Sequence, residues 1–429
     1  MDEIKSNSED IIQIGNEKFV PLLTEKDIQK TIPNTITEGE YPRVLQRLDG
    51  NEAMKKYEEL QSFYMNSAWE EIYELAERSV PESEFILEVS LIQKEDTDML
   101  SKGHEIAWDQ FVLNKGINTP SFSEKSELFI TKSDSNIEIN NESISLSINA
   151  KSGEINSWVI DGKEITNQPI KPNFWRPPTD NDLGNGMDKW AKVWQDATYN
   201  YSAELIQKPI LKNQYVVFDI DYKLPNDIAT VTATYTIIKN GTVQVTLNYE
   251  PNQKDLPNLP RLGMYLTLNN NFQDVLWYGK GPSESYWDRK SGQKIGKYSG
   301  EILNQFERYP RPQETGNKSD LRWIEVSSNE LKLKAYGYAH LNSSVWPFGM
   351  SELDFSSEDA GKSASGLVPV TKKHGADIKI GETIQWNIDY MQMGVGGDTS
   401  WGRLVHPEYT IDANKPYTYS FTIQPSTND

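Results

Sequence analysis

Downstream of Glu127 the chain is a succession of short runs in which β-branched or aromatic residues alternate with polar ones: LFITK, IEINN, SLSINA, YVVFDIDYKL, ATVTATYTIIK and TVQVTLNYE. A period of two puts one face of each run in a core and the other in water, which a strand satisfies and a helix does not. Breaks such as Asp161-Gly162, Asn240-Gly241 and Pro257 to Pro260 separate many of the runs. The pattern predicts a many-stranded antiparallel sandwich. ATVTATYTIIK and TVQVTLNYE flank Asn240-Gly241, which predicts a hairpin closed by a two-residue type I′ turn. FILEVSLI (85–92) and AWDQFVL (107–113) read as two further strands, and no repeat of fixed period is evident.

The first 83 residues have another texture. Residues 1–50 are polar, with Pro21, Pro33 and Pro42 interrupting any long element. A helix is expected over about 51–80, capped by Asn51, with Ala53, Met54, Tyr57, Leu60, Tyr64, Ala68, Ile72 and Leu75 recurring at three- and four-residue spacing. Such a stripe is a core or docking face, and a helix there would cover an exposed sheet edge. SFSEKSE (121–127) reads as a linker. The expected divisions are therefore 1–83, an irregular segment with one helix; 84–120, a short strand region; and 126–425, the main sandwich.

Composition removes several classes of function. The formal charge of −20, with no run of Lys or Arg, would repel a phosphate backbone, so no nucleic-acid partner is expected. The chain has no cysteine, which excludes disulfide scaffolds, thiolate metal sites and cysteine nucleophiles, and fits a cytoplasmic location. No stretch of about 18 apolar residues occurs, so no membrane association is expected. His104, His340, His374 and His406 are not spaced as metal ligands, and no Ser-His-Asp arrangement is recognisable. The 12 Trp and 21 Tyr suit sheet packing, and also make flat platforms for sugars.

Four segments depart from ordinary strand-and-turn sequence: FWRPPTDNDLGNG (174–186), PRLGMYL running into WYGKGPSESYWDRKSG (260–292), YPRPQETGNKSDLRW (309–323) and MGVGGDTSWG (393–402). Pro177 and Pro178 place carboxylates and amides on a rigid turn suited to a polar ligand or a neighbouring domain. Glycines ahead of Trp401 give the backbone freedom to project an indole face. In this order and at these separations the segments resemble the C-terminal super-sandwich of lactose-cleaving β-galactosidases of glycoside hydrolase family two. GHEIAWDQFVL (103–113) resembles the last strands of the immunoglobulin-like domain that precedes it there. The resemblance implies an all-β fold: a large antiparallel super-sandwich, galactose-mutarotase-like, preceded by a partial immunoglobulin-like sandwich and a short helical N-terminal segment.

The resemblance also implies roles. A Trp at the position of Trp401 stacks on the sugar, where an arbitrary Trp would be core. Asp182 and Gly184 lie at the start of a loop beside the substrate, shorter here than is usual; a turn-capping role for Asp180 and Asp182 is the other reading. Asp288, Arg289, Glu314 and Arg322 match fixed positions read as ion-paired loop anchors, and His104 as a domain-junction residue. The resemblance puts both catalytic glutamates and the metal ligands on a (β/α)₈ barrel, for which no alternating pattern of roughly 250 residues is present. No catalytic residue, cofactor or metal is thus expected in this chain. The expected partners are a large, barrel-bearing β-galactosidase subunit or further copies of this chain, with a galactoside such as lactose as ligand. The alternative is a stand-alone carbohydrate-binding or mutarotase-like protein.

Overall fold

The computed structural model describes residues 12–14, 17–19, 84–114, 127–166, 168–213, 215–354, 360–362, 369–371, 373–399 and 402–427. The helix expected over 51–80 lies outside these residues. The chain divides into two compact units, Met1–Ser121 and Phe122–Asp429. The first contains a small antiparallel pair, Ile12–Ile14 with Glu17–Phe19, and a longer one, Phe85–Ile92 with Glu105–Asn114. The longer pair holds both strands read from the sequence there.

The second unit is a sandwich of two large antiparallel sheets, with a small separate pair, Ala360–Lys362 with Pro369–Thr371. The smaller is a five-stranded meander: Phe129–Lys132, Asn136–Asn140, Ile144–Asn149, Ile155–Ile160 and Lys163–Thr166. In Ile144–Asn149 the alternation puts Ile144, Leu146 and Ile148 in the core and the serines outward. The larger sheet has twelve strands. Nine follow in the order Lys171–Asn173, Arg261–Asn269, Thr383–Gln392, Leu331–Trp346, Tyr417–Thr427, Val243–Pro251, Ala229–Ile238, Tyr215–Lys223 and Ser202–Leu211. The other three, Lys318–Ser327, Asp274–Gly281 and Lys294–Glu301, branch from Leu331–Trp346.

That branching strand is 16 residues long and serves two directions of the sheet. Its first half pairs with Tyr417–Thr427 and its second with Thr383–Gln392, so the sheet curls where one set of partners gives way to the other. The inward faces of both sheets share one apolar core, with Trp158, Ile160, Phe218, Leu247 and Trp386 among its members.

The hairpin at Asn240-Gly241 is present, with Ile237 opposite Val243. Its turn differs from the expected type I′. Asn240 is not among the residues with positive φ, whereas Gly241 has φ +87°. Ile238 N–H donates to Thr242 O at 2.9 Å, which leaves three residues in the loop, a geometry that needs the left-handed conformation only at its last position. Asn240 uses its side chain instead, accepting from Thr242 N–H at 3.1 Å.

Three short helices begin within the first motif and run on past it: α1 (Asp180–Gly184), α2 (Met187–Trp190) and α3 (Lys192–Tyr199). Trp194 of α3 packs in the core against Phe174 and Tyr249, with ring centroids 6.2 Å from each, and its indole N–H donates to Pro257 O. This packing holds the first motif on the large sheet. Among the described residues no helix is long and apolar enough to cross a membrane.

Gly241 also seals the two sheets. A Cβ there would lie 2.3 Å from Ile160 Cδ1 and 2.9 Å from Ile144 Cγ2, both on the small sheet. Gly241→Ala adds that clash to a strained φ and is expected to destabilise the fold by about 1–3 kcal/mol. The measurement is the urea midpoint, which is expected to fall; an unmoved midpoint would contradict the account.

Candidate functional site

Four segments far apart in sequence meet on buried charge. In the first, Thr179 caps α1: its hydroxyl accepts from Asp182 N–H at 3.2 Å, and the Asp182 carboxylate accepts from Thr179 N–H at 2.9 Å. This reciprocal box satisfies two amide donors that a helix start leaves unpaired. The same carboxylate binds Arg176 Nη2 at 2.9 and 3.0 Å. Arg176 is 0% exposed, and it also donates to Met393 O and, at 2.9 Å, to Gly394 O. One guanidinium therefore ties the first motif to the root of the fourth.

Asp288, from the second motif, holds the same loop by its other polar groups, accepting from Val395 N–H at 3.0 Å and Gly396 N–H at 2.7 Å. So close an approach leaves no room at Gly394, where a Cβ would lie 2.6 Å from Asp288 Oδ2. At the far end of the loop, Gly402 has φ +85°, and a Cβ there would lie 2.2–2.5 Å from backbone atoms of Gly184. Asp182, Gly184 and Asp288 are thus brought together with the 393–402 loop. Trp401 itself lies outside the described residues.

The third motif joins beneath. Glu314 N–H donates to Pro177 O at 3.1 Å, Arg311 bonds Asp180 Oδ1 at 2.7 Å and Pro178 O at 2.8 Å, and Gln313 accepts from Asp180 N–H at 3.1 Å. The Glu314 carboxylate meets Arg261 at 2.8 Å, and Arg261 faces Asp389 at 3.5 Å. Gln392 Nε2 reaches Asn317 Oδ1 at 3.1 Å and Asp389 Oδ2 at 3.4 Å. One guanidinium faces two carboxylates here, all removed from water. Burial raises both acids, Asp389 to about 7, against the opposing pull of Arg261.

Arg289 pairs with Glu284 and lies over the Tyr286 ring at 5.4 Å. Glu284 is itself a hub, accepting from Tyr309 Oη, from Thr315 Oγ1 at 3.2 Å and from Gly316 N–H at 2.7 Å. Arg322 lies over the Tyr278 ring at 5.5 Å and donates to Asp320 O at 2.8 Å. His104 is exposed on the first unit, where its carbonyl accepts from Gln93 N–H at 2.8 Å. Among the described residues no group of three or more His, Asp or Glu side chains is placed to hold a metal ion.

Arg176, Arg261, Asp389 and Gln392 were not singled out from sequence. The available signal was a charge within an apolar run, Arg261 in RLGMYLTL and Asp389 in TIQWNIDYMQ, since a charge buried in a strand needs an opposite one beside it. On the surface of the loop, His406 Nε2 meets Asp398 Oδ1 at 2.6 Å, and Glu408 lies 3.8 Å from Nδ1. The bond to Asp398 raises the imidazole above its ordinary value and lowers the carboxylate.

Two pH effects follow. The folded state keeps the Asp389 proton up to about 7, while the unfolded chain releases it near 3.8. Between those values the folded state binds more protons, so this group's contribution to stability falls as pH rises. Urea unfolding at pH 5 and pH 8 is expected to show Asp389→Asn gaining stability relative to the parent at the higher pH; parallel curves would contradict it. The His406 contribution has its full value below 6.5 and is lost as pH rises through the raised value. Ring titration by NMR is expected to place His406 above 6.5, and Asp398→Asn to lower it toward that ordinary value.

Comparison with known proteins agrees with this arrangement of motifs. Residues 140–423 match the family described as beta galactosidase small chain, and residues 57–114 match beta-galactosidase domain 4, so the latter match begins within the first 83 residues. A β-galactosidase of Priestia megaterium is 31% identical over 360 residues, covering 82% of this chain and 33% of that protein. One from Streptococcus thermophilus is 31% identical over 349 residues, covering 80% and 32%. The chain spans about a third of the length of the curated relatives it matches. Among solved structures, a galactose 1-epimerase from Lactobacillus acidophilus aligns with 81% of this chain at 11% identity and a TM-score of 0.41. With residues 140–423, well over half its length, inside the small-chain match, the chain belongs to the β-galactosidase small-chain family.

Proposed function

We propose that the chain is the non-catalytic part of a β-galactosidase, completing a galactoside site whose hydrolytic carboxylates stand on a barrel-bearing partner. The observation that carries this reading is the convergence of Asp182, Gly184, Asp288 and the 393–402 loop at one place in a member of the small-chain family. Retaining hydrolysis needs two accessible carboxyl groups about 5–5.5 Å apart. Glu314 and Asp389 share Arg261 but are 2% and 0% exposed, so no sugar reaches them. What this side can offer a galactoside is a surface: the indole of Trp401, on which the C–H face of a pyranose packs, carried by a loop fixed from below. Asp182 spends its carboxylate on Arg176 and Thr179, so it contributes placement of that surface. Lactose is the natural candidate ligand, and a large subunit the natural partner.

The pair His406–Asp398 favours a second reading, since sugar mutarotation uses a histidine with an acidic partner for proton transfer. Mutarotation of galactose by the purified chain, abolished by His406→Asn, would favour it over the first. For the first, Trp401→Ala in the reconstituted enzyme is expected to weaken acceptor binding and cut transglycosylation several-fold while assembly persists. Unchanged kinetics would refute the role.

A further inference from the structure

We infer that Arg176 is a positioning residue for the galactoside site, making α1 and the 393–402 loop a single unit whose placement is set from beneath. The inference rests on the proposed role of that loop and goes beyond it by naming what holds the loop in register. The backbone around Arg176 has little freedom. Phe174 N–H donates to Thr198 Oγ1 at 3.0 Å, Trp175 N–H to Asn173 Oδ1 at 3.2 Å, and the Trp175 indole to Asp354 at 3.0 Å. Pro177 and Pro178 follow, with φ fixed by their rings, and their carbonyls accept from Glu314 and Arg311. From this fixed base the guanidinium reaches three acceptors on two elements, the Asp182 carboxylate of α1 and the carbonyls of Met393 and Gly394.

Geometry shows why an arginine is needed. Two of its nitrogens face acceptors on different elements at once, which a planar fork does and a single ammonium does not. Arg176 Nε is buried without a hydrogen-bond partner among the described residues, so the fork is kept although one of its donors goes unmet. The second tie is independent of the first. Gly402, at the other end of the loop, is in backbone contact with Gly184, the last residue of α1. Both ends of the loop are therefore fastened to one short helix, the root through Arg176 and Asp182, the far end through the two glycines. A displacement of α1 moves both ends together.

Amide hydrogen exchange on the full chain tests this directly. Arg176→Lys keeps the charge and loses the fork. It is expected to speed exchange at Leu183 of α1 and its C-cap Asn185, and at Val395 and Gly396 of the loop, by a common factor of tenfold or more. Amides of the strand Val243–Pro251 are expected to keep the parent's rates. Loosening of one element without the other, or a uniform increase throughout the chain, would overturn the inference. Gly402→Ala breaks the far tie with Arg176 intact, and must loosen the same two elements if Arg176→Lys does not fold. In the reconstituted enzyme, Arg176→Lys is expected to raise the KM for lactose several-fold with kcat for an activated aryl galactoside within about twofold. If Trp401→Ala changes the lactose kinetics and Arg176→Lys does not, the inference fails and the functional reading stands. If neither does, that reading fails.

Discussion

Charge taken out of water has to be met by opposite charge, and in this chain that requirement sets where the four motif segments go. Arg176 and Arg261 are both 0% exposed. Each finds carboxylates: Asp182 of its own segment for Arg176, and Glu314 with Asp389 from two other regions for Arg261. Breaking such a pair by removing one partner costs on the order of 3–5 kcal/mol, because the other is left buried and uncompensated. Apolar burial draws the two sheets together, but it does not specify which loop lies on which. The ion pairs do. Two arginines and three carboxylates bring residues 176, 182, 261, 314 and 389 together from four regions of the sequence, and the glycine-rich loop at 393–402 is fastened on top of them.

The order of construction runs from sheet to site. Trp194, Phe174 and Tyr249 lock the first motif to the large sheet, and the paired prolines then aim Arg176 at Asp182 and at the loop root. Asp288 holds the loop amides from the side. The ties from Arg176 and Asp288 use backbone carbonyls and amides of the loop.

Period-two alternation made the sheets legible in the sequence, and the Asn-Gly pair located a hairpin. Its turn type was not legible, because Gly241 alone supplies the left-handed residue and Asn240 bonds through its side chain. The three short helices after Asp180 were hidden as well: α1 has five residues, too few for a helical period to show. For Asp182, the capping reading describes what the carboxylate does, since a DND run reads the same whether its acids cap a helix or face a sugar. The partnership of Arg176 with Met393 and Gly394 spans more than 200 residues and leaves no local trace. Asp288 reads from its motif as an ion-paired loop anchor, whereas its carboxylate accepts from two loop amides, partners that leave no mark in a charge pattern.

Family membership gives these details a setting. The chain spans about a third of the β-galactosidases it matches, and in our account it supplies shape and placement while hydrolysis is done elsewhere. The account is tested most directly by assaying lactose hydrolysis by the purified chain alone and after mixing with a barrel-bearing β-galactosidase chain that lacks its own super-sandwich. It predicts no hydrolysis alone and activity that rises to saturation as this chain is titrated in. Hydrolysis by the chain alone, or a mixture no more active than the barrel chain by itself, would contradict it.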